Sequence, residues 1–134
     1  MFMADVVHGF KTIFPIPLAI GCSWDLELAE KSAEIAAKES AVSGIHVTFA
    51  PMVDLVRDPR WGKVMETTGE DPYLNGLFAR AFVRGYQGSN LKGNRPTGGL
   101  RETLCGLRRA GGRTGLQYGQ HVRAAAARAI FAGL

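Results

Sequence analysis

Two kinds of hydrophobic spacing alternate in the first 88 residues, and this alternation restricts the fold more than any other feature. The apolar runs at residues 16–20 and 45–50 are short and continuous, as in buried strands, and residues 1–7 are also typical of a strand. Each of the two runs is followed by a segment with helical spacing. Strands and helices in this order predict an α/β fold with a parallel sheet and crossover helices.

The two predicted helices have recognisable ends. The first is expected over residues 25–43, with an alanine-rich face that would pack closely on a sheet and Gly44 just past its end. The second is expected to begin at Pro72, capped by Asp71, and to stop near Gly88. Two such units cannot cover both faces of a parallel sheet, which predicts that the chain is a piece of something larger.

The composition changes abruptly near Asn94. Residues 95–134 hold seven Arg, eight Gly, seven Ala and one acidic residue, Glu102, whereas residues 1–94 hold 9 basic and 11 acidic residues. The formal net charge of +4 is therefore the sum of an acidic body and a basic tail. A basic tail can neutralise phosphates, so a noncatalytic module that binds nucleic acid or an anionic surface is an alternative interpretation. The tail has no recognisable binding motif, and we expect no nucleic-acid partner.

Several other classes of protein are disfavoured. No apolar run reaches the 18 or so residues of a membrane span, and the first residues lack the features of a signal peptide, so the chain as written is expected to be cytoplasmic. Cys22 and Cys105 lie far apart and outside any CxxC pattern. We therefore expect no disulfide, no metal site and no cofactor, with both thiols buried or idle.

Candidate functional residues concentrate in residues 53–71, directly after a predicted strand, where α/β folds place their ligand sites. Arginine can hold oxygen ligands, carboxylates can accept hydroxyl hydrogen bonds, and an indole can pack on the apolar face of a sugar. Ion pairs that merely stabilise the loop explain the same residues, and chemistry alone leaves both interpretations open. These residues are Asp54, Arg57, Asp58, Arg60, Trp61, Glu66, Glu70 and Asp71.

A second candidate group lies at the end of the predicted first strand. Asp5 could bind a ligand and His8 could donate to one, but a turn or cap residue and a satisfied structural histidine are the simpler interpretations. His46 lies in a predicted strand and is expected to be structural.

The motifs DVVHGFKTIFPIPLA, SWD, FAPMVDLVRDPRWGKVMETTGEDPYL and VRGYQG follow one another within residues 2–88. In this order they resemble the N-terminal catalytic domain of glycoside hydrolase family 3, in its bacterial β-glucosidase and β-xylosidase branch. RDPRWG followed by GEDPYL is a specific signal for this family.

The resemblance implies a (β/α)₈ barrel of the TIM type, of which residues 1–94 would be an incomplete fragment. It also implies that the parent enzyme hydrolyses terminal nonreducing β-linked glycosyl residues of β-glucosides or related oligosaccharides in carbohydrate metabolism. Asp5 matches the family carboxylate that accepts hydrogen bonds from the sugar, and Arg57 matches an arginine of the same pocket. The family's Asp nucleophile and Glu acid/base of the retaining mechanism fall beyond this chain, so no catalytic residue is assigned in it. Neither a cofactor nor a membrane partner is implied.

The resemblance does not continue after Gly93, where the family has a Lys-His-Phe motif in the sugar pocket. Synonymous codons for residues 102–104, read one nucleotide later, can encode Lys-His-Phe, and the shifted reading can stay family-like through residue 134. We therefore hypothesise that residues 95–134 are an out-of-frame tail, with the slip between Lys92 and Arg101. Such a chain would be inactive alone and would expose apolar faces and strand edges. Its alanine content still predicts a helix over residues 121–132.

Overall fold

The computed structural model of the chain describes residues 2–88 and the backbone of Arg101–Glu102. Three two-residue strands pair in parallel and in sequence order, so that Ala4, Thr48 and Glu102 lie level with one another. The predicted α/β fold with a parallel sheet is confirmed in this part of the chain. The elements are β1 (Met3–Ala4), α1 (Pro17–Ser23), α2 (Leu26–Val42), β2 (Val47–Thr48), a 3₁₀ turn (Val64–Glu66), α3 (Pro72–Gln87) and β3 (Arg101–Glu102).

The prediction of a strand at residues 16–20 is wrong, because this run forms helix α1. Pro17 stands in the first turn, where a missing N–H leaves no bond unmade and the ring presets the helical φ. The helix ends at Trp24, whose φ of 59° is left-handed and whose N–H donates to the Gly21 carbonyl. The strand that precedes β2 in the sheet is β1, inside the segment predicted at residues 1–7.

The ends of the two longer helices follow the sequence prediction closely. The Asp25 carboxylate accepts a hydrogen bond of 3.0 Å from the Leu28 N–H at the start of α2. Asp71 does the same for the Leu74 N–H at 2.7 Å at the start of α3. Gly44, one residue beyond the C-cap of α2, has a φ of +86°, a conformation that favours glycine. The predicted helix at residues 121–132 lies outside the described residues.

The core forms where α2 packs against α3. Small side chains of α2 meet larger ones of α3, so the alanine-rich face of α2 packs mainly on a helix, whereas the sequence predicted a sheet. Strands of two residues present too few side chains to cover that face. The buried cluster is Val6, Ile20, Ala29, Ala33, Ala36, Ala37, Ala50, Phe78, Ala81, Phe82 and Tyr86.

Gly85 is a point of close approach between the two helices. A Cβ at this position would lie 2.3 Å from the Glu30 carbonyl oxygen and 2.6 Å from the Ala33 Cβ. Both distances are far below van der Waals contact, and one of the opposing atoms is backbone. Any larger residue at this position must therefore push α3 away from α2.

We predict that Gly85→Ala destabilises the chain by about 1–3 kcal/mol, the usual effect of overpacking a tight contact. Urea unfolding of the full chain followed by circular dichroism would measure the loss. Gly76→Ala in the same helix is the matched control, since a Cβ there meets nothing within 4 Å. The control is expected to stabilise the helix by about 0.5–1 kcal/mol, and equal effects of the two substitutions would contradict the proposed contact.

The turn that follows β1 is held to α2 by the carboxylate of Glu39. The chain reverses between Gly9 and Ile13, which form an antiparallel bridge. One Glu39 oxygen accepts from the Lys11 and Thr12 N–H groups at 2.8 Å each, and the other accepts from the Thr12 hydroxyl at 2.6 Å. The Thr12 hydroxyl and amide, followed by the Lys11 amide, favour the ionised carboxylate and lower the pKa of Glu39.

This carboxylate makes part of the stability of the chain dependent on pH. Since the pKa of Glu39 in the folded chain lies below its ordinary value of 4.5, its contribution is present above that value. The contribution is lost as the pH falls through the lowered pKa. We predict that Glu39→Gln lowers the urea midpoint at pH 7 and flattens its decline below pH 4.5. Glu34→Gln, which removes only an exposed pair with Lys38, is the control, and an unchanged acid profile in Glu39→Gln would contradict this role.

Candidate functional site

The two residues predicted to bind substrate come from segments that leave the sheet at the same edge. Asp5 directly follows β1, and the segment that leads to Arg57 follows β2. Because the strands are parallel, both segments start at their carboxyl ends, the edge where α/β folds place ligand sites. The Phe49 N–H donates to the Ala4 carbonyl at 3.3 Å, which extends the pairing of the two segments by one step.

Asp5 is exposed, whereas the next residue, Val6, is completely buried. The Val6 N–H donates to the Thr48 hydroxyl oxygen at 3.3 Å, and the Tyr86 hydroxyl donates to the Val6 carbonyl. Among residues 2–88, no hydrogen bond or ion pair is found on the Asp5 carboxylate. The backbone beside Asp5 is therefore fixed while its side chain stays accessible to a ligand.

The loop that carries Arg57 is closed at its base and attached to α3. The Val56 N–H donates to the Gly69 carbonyl at 3.1 Å, which brings the two ends of the loop together. The Asn75 side-chain amide donates to the Asp54 carbonyl at 3.1 Å. Arg57 follows these contacts by one to three residues and is exposed, so it projects from an anchored part of the loop.

Most other charged residues of the loop have structural partners. The Arg60 guanidinium forms two parallel hydrogen bonds to the Asp58 carboxylate, of 3.0 and 2.7 Å. The pair lowers the pKa of Asp58 and raises the pKa of Arg60. Lys63 pairs with Glu66 at 3.1 Å, and Asp71 caps α3. For these residues the structure agrees with the simpler interpretation, in which they stabilise the loop.

The Trp61 and Glu70 side chains have no comparable hydrogen bond or ion pair within residues 2–88. The Trp61 backbone N–H donates to the Asp58 carbonyl at 3.0 Å, which closes the turn over Pro59, and its side chain is partly exposed. Glu70 is exposed. Contact of the Trp61 indole with a sugar stays a prediction.

The two histidines differ in how well their rings are satisfied. The His46 Nδ1 accepts from the Phe2 N–H at 3.2 Å and the two rings stack, in agreement with a structural role. His8 was expected to be a satisfied structural histidine. Its Nδ1 is instead buried without a hydrogen-bond partner in the described part of the chain, although its carbonyl accepts from the Phe14 N–H. The turn after β1 is closed by the hydrogen bond to the His8 carbonyl, and it buries the His8 Nδ1.

Three residues that connect the two candidate segments to the core could not be identified from the sequence, namely Thr48, Asn75 and Tyr86. All three are buried uncharged polar residues within or beside regular elements. None belongs to a charge cluster or has a spacing that indicates a function. Their partners are 21 to 80 residues away along the chain, so only the fold identifies them.

The described residues contain few other features that could form a site. No group of three or more potential metal ligands lies together there. No helix of this part is long and apolar enough to cross a membrane. Cys22 is a free, exposed thiol, so of the two expected states, buried or idle, it is not buried, and Cys105 lies outside the described residues. A groove of about 420 Å³ lies between the outer faces of α2 and α3 and includes neither Asp5 nor Arg57 in its lining.

Comparison with known proteins agrees on one family. The model of the glycosyl hydrolase family 3 N terminal domain matches residues 1–98. The periplasmic beta-glucosidase of Salmonella typhimurium is 43% identical over 89 residues, which are 66% of this chain and 12% of the relative. The lysosomal beta glucosidase of Dictyostelium discoideum is 36% identical over 91 residues, 64% of this chain and 11% of that protein.

A solved structure of a beta-glucosidase has a similar fold over most of this chain. The beta-glucosidase from Listeria innocua in complex with glucose superposes with a TM-score of 0.72 at 54% identity, over 76% of this chain and 14% of that chain. The chain thus spans about an eighth of the length of the relatives it matches. Its sequence, its strand order and its superposition together show that this chain belongs to the glycosyl hydrolase family 3 N-terminal domain family.

Proposed function

We propose that the chain is a fragment of a retaining β-glucosidase-like hydrolase that acts on terminal nonreducing β-linked glycosyl residues. The observation that carries this proposal is the common origin of Asp5 and Arg57 at one edge of the sheet, in a chain that superposes on a beta-glucosidase in complex with glucose. A relative named as beta-glucosidase supports a glucosyl residue as the sugar that is released. Another relative is named as beta-xylosidase, so the proposed substrate class also includes a pentose.

Asp5 and Arg57 have complementary roles in this proposal. The Asp5 carboxylate accepts hydrogen bonds from sugar hydroxyls, and the Arg57 guanidinium donates to sugar oxygens. Neither residue attacks the anomeric carbon. In a retaining mechanism one carboxylate forms a covalent glycosyl-enzyme and a second carboxyl group protonates the leaving oxygen, then deprotonates the attacking water. We place both of these groups outside this chain.

We also propose that the three strands occupy the positions of consecutive strands of a (β/α)₈ barrel. Each strand pairs in parallel with the next one in sequence, and helices intervene in both connections described. A barrel of this type repeats that arrangement until its sheet closes. The strands described here supply only part of such a ring, so protein would enclose the sugar site on one side only.

We predict that the purified chain does not hydrolyse an aryl β-glucoside above the buffer background. Two sugar-binding side chains without a nucleophile or an acid/base cannot cleave the glycosidic bond. Release of the aryl chromophore over a range of chain concentrations would test this, with Asp5→Ala as the matched variant. Turnover that is present in the chain and absent in Asp5→Ala would contradict the assignment of catalysis to groups elsewhere.

For residues 95–134 we propose an origin in a shifted reading frame. The family model matches only as far as residue 98, and the basic, glycine-rich and alanine-rich composition begins at the same place. The register of β3 supports the same idea, since the backbone of Glu102 lies level with Ala4 and Thr48. A Lys-His pair encoded from position 102 onward would thus leave the sheet at the edge where Asp5 does.

Sequencing the DNA that encodes the chain tests this origin. We predict that the frame displaced by one nucleotide encodes Lys-His-Phe opposite residues 102–104 and continues in a family-like manner to residue 134. The displacement is expected between the codons for Lys92 and Arg101. A displaced frame with any other sequence opposite residues 102–104 would contradict the proposal, and it would leave the assignment of residues 1–94 unaffected.

A further inference from the structure

One hydroxyl group connects the two segments that carry Asp5 and Arg57. The Thr48 Oγ1 accepts from the Val6 N–H at 3.3 Å and from the Ala50 N–H at 3.2 Å. Val6 is the residue after Asp5, and Ala50 opens the segment that leads to Arg57. Thr48 and Val6 are both completely buried, and Ala50 is 2% exposed, so water cannot easily replace this oxygen.

The hydroxyl takes the place of sheet pairing where the strands diverge. The backbone pairing of β1 with β2 ends with the bond from the Phe49 N–H to the Ala4 carbonyl. Two residues beyond the end of β1, the Val6 N–H is bonded to the Thr48 side chain. A hydroxyl oxygen has two lone pairs, so it can accept from both segments at once. Beyond the last backbone bond, the two segments are therefore joined through one oxygen atom.

Helix α3 supports the same two segments from the other side. The Tyr86 hydroxyl donates to the Val6 carbonyl, and the Asn75 side chain donates to the Asp54 carbonyl at 3.1 Å. Both polar backbone groups of Val6 are thereby held by side chains of other elements. Tyr86 and Asn75 are each 2% exposed, which makes these attachments part of the core.

We propose that Thr48 is a positioning residue for sugar binding, which sets Asp5 relative to the Arg57 loop, with Tyr86 as the second support of the Asp5 segment. This role rests on the proposed function of Asp5 and Arg57, but the geometry it predicts does not require the chain to be active. Removal of the Thr48 hydroxyl releases two buried amides at once. Removal of the Tyr86 hydroxyl releases the Val6 carbonyl.

Amide hydrogen exchange and amide chemical shifts of the full chain, measured by NMR, test the proposal. Thr48→Val keeps the side-chain shape and is expected to raise exchange at Val6 and Ala50 by about tenfold, the effect of one net hydrogen bond. It should also shift the amide signals of Asp5 and Arg57. Thr48→Ser restores the hydroxyl and is expected to return all four signals toward those of the unmodified chain.

Two further variants separate positioning from general stability. Thr67→Val removes another buried hydroxyl, which donates to the Val64 carbonyl, and should leave the Asp5 signal in place. Tyr86→Phe is expected to shift Asp5 while the Ala50 amide keeps its protection. This variant keeps the proposal testable if Thr48→Val does not fold.

Three results would overturn the proposal. The first is exchange at Val6 and Ala50 that stays within about twofold in Thr48→Val, since the loss of a net hydrogen bond has a larger effect. The second is an increase that is equal in every amide of α2 and α3, which would indicate a purely structural threonine. The third is an unmodified chain whose Val6 and Ala50 amides exchange as fast as those of a free peptide. Failure of the proposed function is read separately, from the hydrolysis assay and the DNA sequence.

Discussion

The close approach of α2 and α3 is the contact on which the rest of the described structure depends. Strands of two residues make too few ladder bonds to hold a sheet, so the helices have to fix the strand ends in space. They can do so because alanines line α2 and Gly85 lets the backbone of α3 come into direct contact with it. Helix α3 then holds both segments of the candidate site through Asn75 and Tyr86. A change in helix spacing therefore alters the site.

The parts of the fold that could be predicted from the sequence are those with local causes. Asp25, Asp71 and Gly44 act within a few residues of their own positions, and the structure places each at the helix end that the sequence indicated. The run at residues 16–20 shows the limit of this reasoning. A continuous apolar run has no period that separates a strand from a buried helix, and Pro17 at its start favoured the helix.

The candidate site divides in the same way between local and long-range causes. The sequence and its family resemblance indicated Asp5 and Arg57, and the structure shows that their segments leave one sheet edge. The sequence could not indicate Thr48 or Tyr86, because the role of a buried hydroxyl can be recognised only when its distant partner is known. The density of charged residues in the loop at residues 53–71 did not indicate which of them could bind a ligand. The Asp58–Arg60 pair, conspicuous in the sequence, is neutralised locally, whereas Asp5 stands in an apolar run.

The arrangement of this edge also indicates what a sugar site needs beyond two well-placed side chains. A hydrogen bond to a charged group contributes about 1.5–3 kcal/mol even in favourable surroundings, and less where water competes, as at exposed residues such as Asp5 and Arg57. Immobilising a sugar costs an estimated 4–15 kcal/mol in lost translation and rotation. Two such contacts contribute about 3–6 kcal/mol before competition by water is considered, which is close to the lower limit of that cost. The surplus has to come from walls that exclude water and from further donors at the same edge.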